Sequence, residues 1–237
     1  MLLRLFTRGE GFAQAVPPGA RGLTAFALVE LAAREPAGTT GRDEAFGLAE
    51  AAVRRTFRDT PEAQLVSQMP WLGWAELRLA RLRNAEVIPA AVGLRDMRAE
   101  VWKHQITALD DAAMESRGGL PDTVGAIAFG TGGSTLGATW QTAQAVAFMP
   151  AMLMDPRLTK REERPLELAK LVAAIRFIRQ LQADESAGWM FPNRPRYFGG
   201  VRGALWDQRM PHDASSMSLI AITELMRALG ELTKPAR

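Results

Sequence analysis

Apolar residues recur at helical spacing along most of the chain. Residues 22–34 place Leu23, Phe26, Ala27 and Leu31 on one helical face, and residues 43–58 align Phe46, Ala49 and Val53. Thr60 followed by Pro61 is a helix start signal. Pro70 predicts a short helix ending near Gln68 and a longer one over 70–83 carrying Trp71, Trp74, Leu77 and Leu82. Pro89 opens a helix expected to reach about Leu109, with Met97, Val101, His104 and Ala108 on one face. Residues 139–155 read as helical with a kink near Pro150. Residues 165–183 are strongly periodic through Leu168, Leu171, Val172, Ile175 and Ile178. Asp213 is the expected N-cap of a last helix, 214–232, with Leu219, Ile222, Met226 and Leu229 on one face.

Three stretches break this pattern. Residues 1–21 read as an N-terminal loop, and residues 116–138 and 184–212 as long loops rich in Gly and Pro. The expected fold class is all-α: a single domain over 1–237, a stack of antiparallel helical hairpins. Strands should hold under a tenth of the residues, against a usual share of roughly one-fifth.

Composition agrees with this picture. The chain has 237 residues, 47% of them apolar and 23% charged, enough for a sizeable core and unlike a disordered chain. The net charge of +3 is spread among interleaved acids and bases, as in residues 157–164 (RLTKREER). No basic stripe with exposed aromatics is evident, so nucleic-acid binding is not expected. There are no cysteines, which excludes disulfides, thiolate metal ligands and a cysteine nucleophile. The apolar start, MLLRLF, is too short for a signal core or a membrane span. A cytoplasmic location is expected if the chain is complete, and export if a leader has been removed.

The two loops echo each other. Gly118-Gly119 begins one that ends at Thr139 before an Ala-rich helix. Gly199-Gly200 begins another that ends at Asp213 before a similar helix. At residues 173–191 (AAIRFIRQLQADESAGWMF), the residues Phe177, Leu181, Gln182, Gly188 and Trp189 resemble the repeat of prenyltransferases and squalene cyclases. In that repeat a helix is followed by a short gap and an aromatic Gly-Trp turn. Residues 199–206 (GGVRGALW), leading into 213–218 (DASSMS), look like the entry to the next inner helix. The likeness is clearest over the C-terminal half.

The resemblance implies an α/α toroid, with inner helices around a central cavity and outer helices behind them. This chain predicts fewer helices than a complete cyclase toroid has, which implies a reduced toroid or an arc of one. The family's catalytic motifs do not carry over. Asp110-Asp111 and the isolated Asp213 do not reproduce the Asp-x-Asp-Asp acid of squalene-type cyclases, and the cysteine zinc ligand of protein prenyltransferases is missing. The fold is therefore implied without either chemistry.

Candidate chemistry is sparse. His104, near Trp102 and Gln105, is a candidate general base or ligand; a satisfied core histidine is the simpler reading. Asp213 is a candidate general acid or simply a helix cap, and Asp110 and Asp111 are further acid candidates. The two histidines with Asp213 would bind zinc only if folding gathered them, so no metal is expected. Residues 125–137 (GAIAFGTGGSTLG) lack both the Gly-Lys-Ser/Thr ending and the Gly-x-Gly-x-x-Gly spacing of phosphate loops. Ser215, Ser216 and Ser218 have no nucleophile elbow.

Trp71, Trp74, Trp140, Trp189 and Trp206 either pack or line a cavity. Trp206 stands apart because it lies in a loop. Arg202, Trp206, Asp207, Arg209 and His212 concentrate charge and aromaticity, and they are the expected wall of the principal pocket. Two arginines beside an aromatic suit an anionic or planar ligand, while Arg–Asp pairs pinning the loop are the alternative. Two functions are expected from these residues. One is a cyclase-like module that binds a small ligand or protein partner without a cofactor. The other is an α/α-barrel enzyme acting on an isoprenoid or a glycan with an aspartic acid as general acid.

Overall fold

The computed structural model describes residues 5–7, 9–36, 38–60, 62–107, 121–129, 137–191 and 193–234. It is all-α, with 64% helix and 5% strand. The strand content is a hairpin of two-residue strands, β1 (Phe6–Thr7) antiparallel to β2 (Gly11–Phe12), and isolated bridges such as Gln182 with Val201. Four long helices follow: α1 (Arg21–Arg34), α2 (Thr40–Asp59), α3 (Glu62–Leu82) and α4 (Ala91–Lys103). Two short ones, α5 (Gln141–Val146) and α6 (Met149–Met154), precede α7 (Arg164–Leu181), the brief α8 (Arg194–Tyr197) and α9 (His212–Leu232). The chain divides into two compact units, residues 1–97 and 98–237. Among the described residues, no helix is long and apolar enough to cross a membrane.

In the first unit α1 packs on both α2 and α3. The contact is built from small residues. Ala25 and Ala32 of α1 meet a core containing Ala45, Ala49 and Ala52 of α2 and Ala75 of α3, with Leu28, Val29, Val53, Leu72 and Leu79 filling the space between. Short side chains let helix backbones approach closely. The approach is close at Gly22, whose N–H donates to Gln68 Oε1 at 2.8 Å and where a Cβ would stand 2.8 Å from that same oxygen.

This packing corrects two expectations. Leu23, Phe26, Ala27 and Leu31 are not the inner face of α1. Leu23 is exposed and the other three are half-buried, because Gly22, Ala25, Leu28, Val29 and Ala32 take the inside. Nor does Pro70 end a helix: α3 runs unbroken through it. Met69, Pro70 and Leu72 are all buried there, so tertiary packing outweighs the cost of one missing N–H donor. Outside the inner face, Phe26 clusters with Trp71 and Trp74, at ring separations of 6.2 and 6.2 Å, so those tryptophans pack against a helix.

In the second unit α7 packs on α5 and α6, and α9 on α5, α6 and α7. The N-terminal turns of α7 are tied down by a buried polar cluster. Arg98 reaches Glu167 at 3.3 Å and donates to Thr159 Oγ1, while Trp102 Nε1 donates to Glu167 Oε2 at 2.8 Å. The helix α4 ends at Lys103, six residues before the expected Leu109, because the chain turns to pair with a later segment. Ile106 N–H donates to Ala126 O at 2.9 Å, and Ala128 N–H to His104 O at 2.9 Å.

The expected kink at residues 139–155 is a break between α5 and α6, with Pro150 in the first turn of α6. The last helix differs from expectation twice. Asp213 is not its N-cap, because Pro211 holds the extended backbone (φ −61°, ψ 141°) and the helix begins immediately after it. Its inner face is Ala214, Met217, Ser218, Ala221, Leu225 and Ala228, leaving Leu219 and Met226 exposed. As in α1, the small residues face in.

The backbone of the second unit is closely approached at Gly125. Its φ is +96°, and a Cβ there would stand 2.1 Å from Ala173 O of α7. Gly199 shares a positive φ of +82° but has open space around it. Gly125→Ala should therefore cost at least about 3 kcal/mol, and Gly199→Ala about 1 kcal/mol, since only the first adds a clash to the backbone strain. Urea unfolding of the two variants measures the difference; equal losses would contradict this account.

Candidate functional site

The segment after α7 returns on the end of that helix. Gly199 N–H donates to Ala183 O and Ala183 N–H to Gly200 O, both at 2.8 Å. Arg202 then seals the helix terminus. Its backbone N–H donates to Leu181 O at 3.0 Å, its Nη2 to Gln180 O at 2.6 Å and its Nε to Leu181 O at 3.3 Å. Nη1 also meets Gln208 Oε1 at 3.3 Å. These bonds satisfy carbonyls that the helix itself leaves open.

Beyond Arg202 the chain bulges and closes on itself, with Gly203 N–H donating to Arg209 O at 2.7 Å. Trp206 sits in the bulge and is 45% exposed. Asp207 and Arg209 form a two-pronged ion pair, Nη2 to Oδ2 at 2.8 Å and Nε to Oδ1 at 2.9 Å. Hydrogen bonding from the Arg209 side chain, more than its charge alone, holds the Asp207 carboxyl below the usual carboxylate range. Such a group holds its charge and donates no proton near neutrality.

Two clefts flank this loop. The larger, of about 570 Å³, is lined by Trp206, Asp207, Arg209 and Pro211 together with Trp140 and Gln141; Trp140 N–H donates to Gly203 O at 3.0 Å. The smaller, of about 420 Å³, is lined by Arg202, Leu205, Asp184, Asp122, Arg179 and the exposed Trp189. The bulge thus divides residues that sequence reasoning grouped together. Trp206, Asp207 and Arg209 share one cleft; Arg202 belongs to the other, with its guanidinium spent on helix carbonyls. His212 and Asp213 are exposed at the start of α9 and line neither cleft.

The remaining candidates lie apart. His104 is not a core residue: its side chain is about one-third exposed, 3.5 Å from Glu100 Oε1, with its ring 5.1 Å from that of Phe129. Asp110 and Asp111 lie outside the described residues, as does most of the stretch 116–138. Among the described residues, no group of three or more His, Asp or Glu could hold a metal ion.

Sequence reasoning passed over one carboxyl. Glu76 of α3 is 6% exposed and has no hydrogen bond or ion pair among the described residues. It lines a cavity of about 190 Å³ within the first unit, together with Glu50 and Arg54 of α2. Burial, then the negative charge of Glu50, pushes its pKa from the ordinary 4.5 up to about 7; the charge of Arg54 opposes them less strongly. The available signal was spacing. Glu76 stands four residues after Leu72 and three before Leu79, on the apolar stripe of its helix.

No known protein family, curated protein or solved structure matches this chain. The likeness to the prenyltransferase and squalene-cyclase repeat rests on the sequence pattern alone.

The raised Glu76 pKa makes stability depend on pH. Between 4.5 and about 7 the unfolded chain ionises Glu76 while the folded chain keeps it protonated. The folded state then holds more protons, so stability falls as pH rises through this window and the loss levels off above it. The loss from this group is on the order of 3 kcal/mol. Glu76→Gln should flatten that part of the curve, as measured by urea midpoints at pH 5, 6, 7 and 8. An identical slope in the variant would assign the dependence to other groups.

Proposed function

We propose that the chain is a ligand-binding module of the α/α-toroid type, and that the cleft beside Trp206 takes a small planar anion. The single observation that carries this reading is a tryptophan at the edge of a 570 Å³ cleft next to the two-pronged Asp207–Arg209 pair. A half-exposed indole in a loop contributes little to packing, and its face is available for stacking. Arg209 uses Nε and Nη2 on Asp207, so its Nη1 edge keeps two N–H donors for an anionic group. The volume suits a small molecule, within the usual range of roughly 300–1,000 Å³. The toroid part of the reading is supported by the all-α content and by the Phe177–Trp189 motif at the end of α7.

The test separates binding from folding. Aromatic carboxylates and nucleoside monophosphates are titrated against the whole chain and followed by calorimetry. Trp206→Ala should weaken the best of them at least tenfold and move the melting temperature by less than about 2 °C, as expected for a partly exposed loop residue. Arg202→Ala should do the reverse, lowering the melting temperature by several degrees through loss of the α7 terminus. A Trp206 variant that melts early while binding normally would make the loop a structural clamp.

A further inference from the structure

We propose that the cavity between α2 and α3 in the first unit is a binding site for a small alkylammonium ion, with Glu76 as its counter-ion. The geometry has three parts. Glu76 is 94% buried by its 6% exposure, lines the cavity, and has no polar partner among the described residues. Glu50 lines the same cavity and already holds Arg83 in an ion pair, with Arg54 at 3.9 Å. The rest of the wall is mainly apolar, including Val53, Leu79, Ala80, Val87 and Pro89. A carboxyl among mainly hydrocarbon walls matches a short chain ending in –NH₃⁺.

The sign of the ligand's charge follows from the groups that face Glu76. From α2 these are Glu50 and Arg54; from the turn just after α3, Arg83, which is committed to Glu50. The segment that closes the cavity offers only Ala85, Val87 and Pro89. On α1, Glu30 is held by Arg78 at 3.1 Å and does not line the cavity. At Glu76 the influence of Glu50 exceeds that of Arg54, whose side chain is 75% exposed and screened by water. The local field therefore favours a cation. Two carboxylates supply four oxygens at most, while a hard divalent ion takes six to eight, so the apolar walls select an organic cation. A volume of about 190 Å³ limits it to a few carbon atoms.

Binding moves a proton. Near neutrality Glu76 is partly protonated; the ammonium enters with its charge, Glu76 gives its proton to the buffer, and a carboxylate–ammonium pair remains. No covalent bond changes. Affinity should therefore rise with pH up to about 7, where Glu76 ionises unaided, and level off above it.

The experiment uses n-butylammonium as the probe, with butyrate and n-butanol as size-matched controls. Calorimetry is run on the whole chain at pH 5.5, 6.5 and 8, in two buffers of different ionisation enthalpy. The expected result is saturable n-butylammonium binding that strengthens about tenfold from pH 5.5 to 6.5, with proton release at the lower pH and no comparable binding of either control. Glu76→Gln should lose at least tenfold in affinity and keep its helical circular dichroism. Arg54→Ala should bind more tightly, because the opposing charge is gone. The proposal is overturned by no saturation at millimolar n-butylammonium, by preference for butyrate, by an unchanged Glu76→Gln affinity, or by weaker binding in Arg54→Ala. None of these outcomes bears on the Trp206 cleft.

Discussion

An α-helix leaves its last carbonyls without partners inside the helix, and most helices recover them with a glycine turn or with water. The helix α7 does neither. Gln182 leaves in an extended conformation (φ −68°, ψ 130°), and the carbonyls of Gln180 and Leu181 are met by the backbone and guanidinium of Arg202. Once Arg202 is fixed there, Val201 must pair with Gln182, and the chain between Gly203 and Arg209 has to bulge away. Trp206 is carried out on that bulge. The cleft beside it is thus a consequence of how one helix is terminated.

The first unit depends on a different constraint, the small size of its inner residues. Alanines at positions 25, 32, 45, 49, 52 and 75 draw α1, α2 and α3 together. A close-packed interior has little room to relax around a polar group. A carboxyl fixed on its margin, as Glu76 is, loses most of its contact with water and so part of what stabilises its charge. It stays mostly neutral until the pH approaches 7.

The helices were legible because periodicity depends on local sequence: residues 43–58 and 165–183 match α2 and α7 within a few positions. Which face turns inward was less legible. In α1 and α9 the reading followed the largest apolar residues, Leu23 and Phe26 in one, Leu219 and Met226 in the other. The structure buries Ala25 and Ala32, Ala214 and Ala221, because close approach between helices rewards small side chains. Pro70 misled for a related reason, since its cost is local and the packing that outweighs it is not. At the candidate site, the density of charge and aromatic groups over 202–213 was visible in the sequence. The division of that group was not, because the partners of Arg202 lie on a helix about twenty residues away. Glu76 carried a visible signal, an acid on an apolar stripe.

Asp207 and Glu76 are opposite cases, and the difference follows from partner supply. Asp207 in the second unit is given a guanidinium at hydrogen-bond distance and is exposed to water, so its charge is stabilised twice and its pKa falls. Glu76 is given hydrocarbon and a like charge, so its pKa rises. A permanently ionised acid paired with arginine is a rigid polar marker, suited to orienting a ligand beside an aromatic face. An acid balanced near pH 7 can gain or lose a proton at little cost when a charged group arrives. If both proposed sites bind, proton-coupled binding therefore belongs to the α2–α3 cavity, and binding without proton transfer to the loop that Arg202 holds in place.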